Sequence, residues 1–212
     1  MPTVVDLSRP APEVAPGLLG CRLTSHTPDG DVTLVLTEVE AYEGAVDPAS
    51  HAHRGETPRN SVMFGPAGHA YVYRSHGIHW CLNVVTGPTG TASAVLLRAG
   101  RVVDGEDLAR TRRGAHVALR SLARGPGNLG RALGISAADN GADLLSPGHL
   151  SSGHGLHLSL TADPVEEVAK GPRVGVSLAA DVPWRFWLPG EPTVSAYRRS
   201  VRAMPAGPSS VS

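Results

Sequence analysis

The stretch from Glu38 to Asn60 concentrates the residue types that do chemistry in this chain. Glu40 closes a hydrophobic run, Tyr42 stands two residues on, and His51 follows in a turn-rich loop that ends in Thr57-Pro-Arg59-Asn60. A carboxylate at a strand end, facing a cleft, can orient and deprotonate a water. Flat side chains beside it can clamp a planar ligand, and stacking of this kind contributes about 1–3 kcal/mol per ring. Tyr73 and His76 offer two more flat faces, in a chain that is only 4% aromatic. Taken singly, Glu40 reads as an exposed strand-end acid, each tyrosine reads as strand packing, and Glu38 and Glu43 make no case at all. Arg98 lies inside the apolar segment SAVLLRAG. If it is buried it needs a partner, and Glu40 is available; otherwise it is an edge-strand arginine pointing to solvent.

Other chemistries find less support. Ten histidines invite a metal reading, with His51, His53, His69, His76 and His79 near Cys81. There is no HExxH, and no H-x-E paired with P-C-x-x-C, so no metal site is predicted. Lys170 is the only lysine beside eighteen arginines, which leaves few amines for Schiff-base chemistry.

The elements that must position these residues follow from periodicity and punctuation. DVTLVLTEVEAY (31–42) alternates and is rich in β-branched residues, so it predicts a strand. Residues 43–68 form a long irregular loop, and such loops are usually functional. Strands are predicted at 69–75 and 78–86, joined by a tight turn at His76-Gly77 into a hairpin, and again at 93–103. Helices are predicted at 105–113, at 115–124 and at 125–134, the last opened by Gly-Pro with amides suited to a phosphate. Three short strands, 156–160, 173–178 and 185–188, complete the sheet. The predicted fold class is mixed α/β (α+β): one compact domain over 1–202 with a curved, largely antiparallel sheet surrounded by helices and a protruding hairpin. Low order is expected at 146–155 and in the tail 203–212.

At 212 residues the length suits one domain. No apolar run approaches the roughly 20 residues of a membrane span, and the first residues lack a signal peptide's pattern, so a cytoplasmic location is expected. Cys21 and Cys81 read as reduced core residues. The formal net charge of zero hides a basic middle: residues 51–131 hold eleven arginines against four acids, whereas residues 1–50 carry a net −6. Such a middle could follow phosphates or form a solvated face.

The motifs TEVEAY (37–42), His51 through ETPRN and MF (56–64), AYVYRSHGIHWCLNVV (70–85), VLLRA (95–99), GPGNLGRALGI (125–135) and PRVGV (172–176) resemble, in order, those of the alkyladenine (3-methyladenine, methylpurine) DNA glycosylases. The resemblance covers roughly residues 10–190. It implies hydrolysis of the N-glycosidic bond of damaged purines in double-stranded DNA, with no metal or cofactor, while neutral charge and a single site make a monomer the default expectation. It further implies that Glu40 is the general base, with Arg98 and the Val174 carbonyl holding the water. Tyr42 and His51 would form one wall of the base pocket and Tyr73 the other, with Asn83 screening purines by their amino groups. Arg59, Asn60, Gly127 and Asn128 would meet the DNA backbone, and His76 and Ile78 would enter the duplex. At the hairpin tip His76 replaces the usual tyrosine wedge, and Asn128 stands where a lysine is common. Three readings compete: a lyase using Pro2 or Lys170, a damage-binding protein without catalysis, and a metal-dependent hydrolase.

Overall fold

Alternation and β-branching over residues 30–42 produce the longest strand of the molecule, and the sheet is assembled on both its edges. A computed structural model describes residues 4–146, 154–162 and 165–203. Its strands are β1 (Arg22–Thr27), β2 (Gly30–Tyr42), β3 (Ala70–Ser75), β4 (His79–Val85), β5 (Ala94–Asp104), β6 (Gly155–Leu158), β7 (Ala169–Gly171) and β8 (Arg185–Trp187). Its helices are α1 (Ala11–Leu18), α2 (Glu106–Arg113) and α3 (Pro126–Leu133). The strands run in the order β3-β4-β5-β2-β1-β6, with β8 on the second half of β2 and β7 beyond it, and every pairing is antiparallel. The expected mixed fold with a curled antiparallel sheet is therefore observed.

From Leu34 to Ala41, β2 is buried without interruption, which explains why strict alternation fades there. Helix α1 buries Ala11, Val14, Ala15 and Leu18, one apolar stripe at helical spacing, and packs on β2 and β5. Each fully buried leucine of this kind stabilises the fold by roughly 1.5–3 kcal/mol. The first amide of α1, on Ala11, donates to Glu43 Oε2 at 2.9 Å, so Glu43 caps this helix from a distant loop. Helix α3 lies close against the hairpin because Gly130 permits it: a β-carbon there would meet the Trp80 carbonyl oxygen at 2.2 Å.

Two expected elements are absent in the form predicted. Residues 115–124 contain only a short 3-10 turn, Leu119–Ser121. Arginines of α2 take carbonyls that a helix would use: Arg110 donates to Val117 and Arg113 to Leu122. Residues 173–178 are irregular, and the strand lies earlier, at β7. There Arg173 is drawn into the interior, Gly175 adopts φ 73, and the Val174 amide turns to a side chain rather than a neighbouring strand. Helix α1 and strand β1 are additional to the predicted elements; Pro12 and Pro16 disguise the helical pattern of the first. The expectations of low order at 146–155 and 203–212 fall mostly on residues 147–153 and 204–212, outside the described residues. Among the described residues, no helix is long and apolar enough to cross a membrane.

Candidate active site

A cavity of about 510 Å³ opens between the end of β2, the β3–β4 hairpin, the loop after β2, the start of α3 and the 174–176 segment. That volume lies within the range of small-molecule pockets. Glu40 and Arg98 form its floor; Tyr42, His51, Tyr71, Tyr73 and Asn83 line its sides, and His76, Gly127, Asn128 and Val174 reach its rim. Eleven residues scattered from position 40 to position 174 are thus brought to one place.

Glu40 has no measurable solvent exposure, and three groups hold its carboxylate. The Tyr42 hydroxyl donates to Oε2 at 2.9 Å, the Val174 amide donates to Oε1 at 2.7 Å, and Arg98 Nη1 stands 3.4 Å from Oε1. Arg98 was expected to pair with Glu40, but its hydrogen bonds go elsewhere: Nε donates to Glu38 Oε1 at 2.9 Å and Nη2 to Ser195 Oγ at 3.2 Å. Burial works against the Arg98 charge, yet Glu40 and Glu38 outweigh it and hold the guanidinium protonated above the usual arginine range.

The aromatic side of the cavity is a connected cluster. His51 and Tyr73 touch edge to face, with centroids 4.5 Å apart and planes at 85°, so a flat ring cannot sit between these two. His51 Nδ1 lies 3.0 Å from the Tyr71 hydroxyl. Burial, assisted by the Arg59 charge, lowers the His51 ring below its ordinary value, which leaves it neutral at pH 7. Burial also pushes the phenols up, Tyr71 to about 12, so these rings are uncharged donors. Asn83 is buried and gives its amide nitrogen to the Tyr71 carbonyl at 2.9 Å.

Behind Tyr42 lies a fully buried ion pair. Arg173 binds both oxygens of Asp47, donates to the Ala41 carbonyl, and stacks 4.7 Å from the Tyr42 centroid and 5.3 Å from that of Trp184. Neither member reaches solvent. This pair fixes the chain immediately before Val174.

At the hairpin tip the Ile78 amide donates to the Ser75 carbonyl at 2.9 Å, closing a turn whose central residues, His76 (φ 50) and Gly77 (φ 68), are both left-handed. His76 is exposed and contributes to the cavity rim, whereas Ile78 is 67% exposed and does not line the cavity. Arg59 is exposed. Asn60, expected at the DNA backbone, is instead a buried loop anchor: its side chain accepts from the Thr57 amide and donates to the His51 and Gly55 carbonyls. Asn128 lies at the rim and donates to the Arg124 carbonyl at 2.7 Å. Among the described residues, no group of three or more histidine, cysteine, aspartate or glutamate side chains is arranged to hold a metal ion. Cys21 and Cys81 are buried and not bonded to one another.

Sequence reasoning passed over Glu38, Asp47, Tyr71, Arg173, Arg185 and Ser195. A signal existed for three of them: Arg173 and Arg185, like Arg98, are charges inside short apolar segments, and Glu38 is an acid inside a buried strand.

A buried carboxylate under an aromatic cavity can activate a water beside a planar substrate, and similarity to known proteins makes the chain a DNA glycosylase, a hydrolase of the N-glycosidic bond. Residues 5–192 match the family Methylpurine-DNA glycosylase (MPG), and the chain belongs to that family. A protein of Nocardia farcinica is 54% identical over 208 residues, covering 95% of this chain and 93% of its own length. One of Streptomyces avermitilis is 52% identical, covering 90% and 89% respectively, and one of Mycolicibacterium paratuberculosis is 54% identical, covering 93% of each. All three bear the name "Putative 3-methyladenine DNA glycosylase".

Proposed function

We propose that the protein removes alkylated or deaminated purines, of the 3-methyladenine, 7-methylguanine, hypoxanthine and ethenoadenine class, from double-stranded DNA and leaves an abasic site. The observation that carries this reading is the Glu40 carboxylate, held by Tyr42, Val174 and Arg98 beneath a cavity large enough for a purine. The damaged nucleotide is flipped out of the duplex, at a cost of a few kcal/mol that is least for damaged or mispaired bases. Its base stacks against the Tyr42 and Tyr73–His51 surfaces, with Asn83 opposing the amino group of an intact guanine. As the bond from C1′ to the base nitrogen breaks, its electron pair leaves with the base. A water held by Glu40, Arg98 and the Val174 carbonyl adds to C1′ and gives its proton to Glu40. No cofactor enters this step.

His76 and Ile78 fill the space left in the duplex, while Arg59 and the Gly127-Asn128 end of α3 meet phosphates. The protein acts as a monomer in the cytoplasm. The test is base release from duplexes carrying each of the four lesions, by the natural protein and by Glu40→Gln. Removal of a general base should slow release by about 10²–10⁴-fold while binding to lesion DNA survives. Near-normal turnover by the variant would sink the assignment.

A further inference from the structure

Beneath Glu40 lies a second carboxylate that has no place in the reaction so far. Glu38 has no solvent exposure, and Arg98, Arg185 and Ser195 all donate to its carboxylate. Its Oε1 accepts from Arg98 Nε at 2.9 Å, Arg185 Nε at 2.7 Å and Ser195 Oγ at 2.8 Å; its Oε2 accepts from the Ser195 amide at 2.8 Å. Arg185 is itself fixed, donating to the Ser195 carbonyl at 2.7 Å and stacking 4.6 Å from the Trp187 centroid. One guanidinium, Arg98, therefore lies between two acids, hydrogen-bonded to Glu38 and 3.4 Å from Glu40.

We propose that Glu38 is a positioning residue: it holds Arg98 away from a full hydrogen-bonded pairing with Glu40, so that Glu40 remains able to take the proton from water. The inference rests on Glu40 as the base. A carboxylate gripped bidentately by an arginine is a poor proton acceptor, because protonation strands the buried cation. Here the cation is not stranded. After the proton moves to Glu40, Glu38 still balances Arg98 through Nε. Without Glu38, the same transfer would leave Arg98 and Arg185 both lacking an anionic partner in a buried site.

Other titratable groups face this arrangement. Tyr42 on β2, Tyr73 on β3 and Cys81 on β4 are all pushed upward by burial and stay neutral in acid. Arg173 is balanced by Asp47. His51 does titrate in the acid range, but it sits on the aromatic side against Tyr71 and Tyr73.

The experiment is the pH profile of base release from a 7-methylguanine duplex, whose base is already cationic and needs no proton to leave. In Glu38→Gln the acid limb should move to lower pH by on the order of one unit, and the plateau rate should fall roughly tenfold. A purely structural role would lower the yield of active protein without moving the limb, and an unmoved limb overturns the proposal. Glu38→Gln combined with Arg185→Met removes one charge of each sign and makes the same comparison if the single variant does not fold. Carbon-13 carboxyl titration of the natural protein decides independently of any variant. Glu38 should stay ionised through the acid limb, and its protonation within that limb overturns the proposal. Full activity in Glu40→Gln would instead remove the reading of Glu40 on which this one rests. An inactive Glu40→Gln beside an unmoved Glu38→Gln limb removes only the inference about Glu38.

Discussion

The floor of the cavity and the tip of the β3–β4 hairpin are built on opposite plans. On the floor and in the layer behind it, Glu38, Glu40, Asp47, Arg98, Arg173 and Arg185 are each 6% exposed or less, and each is matched to a charge of opposite sign. At the tip, Arg74, His76, Gly77, Ile78 and His79 are all exposed, and the turn is closed by a single backbone hydrogen bond. On the proposed reading, the first arrangement fixes the groups before DNA arrives, which is how a site avoids reorganising during the chemical step. The second leaves side chains free to adapt to a duplex. Changes to the floor should therefore damage stability and chemistry together, and changes to the tip should alter binding alone.

The most severe break is expected at Asp47→Asn. It leaves the Arg173 guanidinium buried without its anionic partner, and Arg173 Nε already lacks a hydrogen bond among the described residues. Removing one member of such a pair costs about 3–5 kcal/mol, or on the order of 10 °C in Tm for a chain of this size. The Arg9–Glu13 pair is the contrast, with side chains 62% and 47% exposed. There Glu13→Gln should change stability by less than about 1 kcal/mol. Thermal unfolding of the two variants side by side makes the measurement. Equal losses would mean that burial of the Arg173–Asp47 pair does not organise the floor.

A second effect is set by pH. Burial alone would raise the Glu38 carboxyl, but Arg98, the Ser195 amide and Arg185 prevail and hold it below its ordinary value of 4.5. The stability it contributes is present above that value and is lost as pH falls through the lower, folded one. His51 is also depressed, from an ordinary 6.5, so the unfolded chain takes up its proton first and stability begins to decline as pH drops below 6.5. Denaturant midpoints measured from pH 7.5 to 3 should fall in two stages. Glu38→Gln should flatten the stage below 4.5 and leave the upper one. His51→Gln should do the reverse.

How much of this was legible in the sequence follows the same division. The strands carrying Glu40, Tyr73, Asn83 and Arg98 announce themselves by local patterning, and the left-handed turn at His76-Gly77 is a local signal too. The floor is not local. Arg98 does face Glu40 at 3.4 Å, but its hydrogen bond falls on Glu38, and only pairing of β2 with both β5 and β8 puts Arg98 and Arg185 on that acid. The 173–178 segment reads as a strand for a related reason: Val and Arg there look like sheet residues, while the actual partners of Val174 and Arg173, Glu40 and Asp47, lie more than 120 positions away. Asn60 fails differently. Its type suits a phosphate contact, and the loop's own amide and carbonyls claimed it first.

The smallest expected effect sharpens the tip. At His76 a larger aromatic ring would fill more of the gap left by a flipped base, and part of the roughly 1–3 kcal/mol that stacking provides becomes available. Against this, His76 has φ 50, and a bulky side chain fits the left-handed region less well than histidine does. His76→Tyr should therefore tighten binding to lesion duplex by only about threefold, as read by fluorescence anisotropy, with Tm unchanged or slightly lower. Ile78→Ser removes the apolar group that is 67% exposed beside it and should weaken binding by a similar factor, at unchanged single-turnover rate. If instead either tip variant alters the rate of bond cleavage on bound DNA, the tip does more than hold the duplex open. The floor would then not be complete without it.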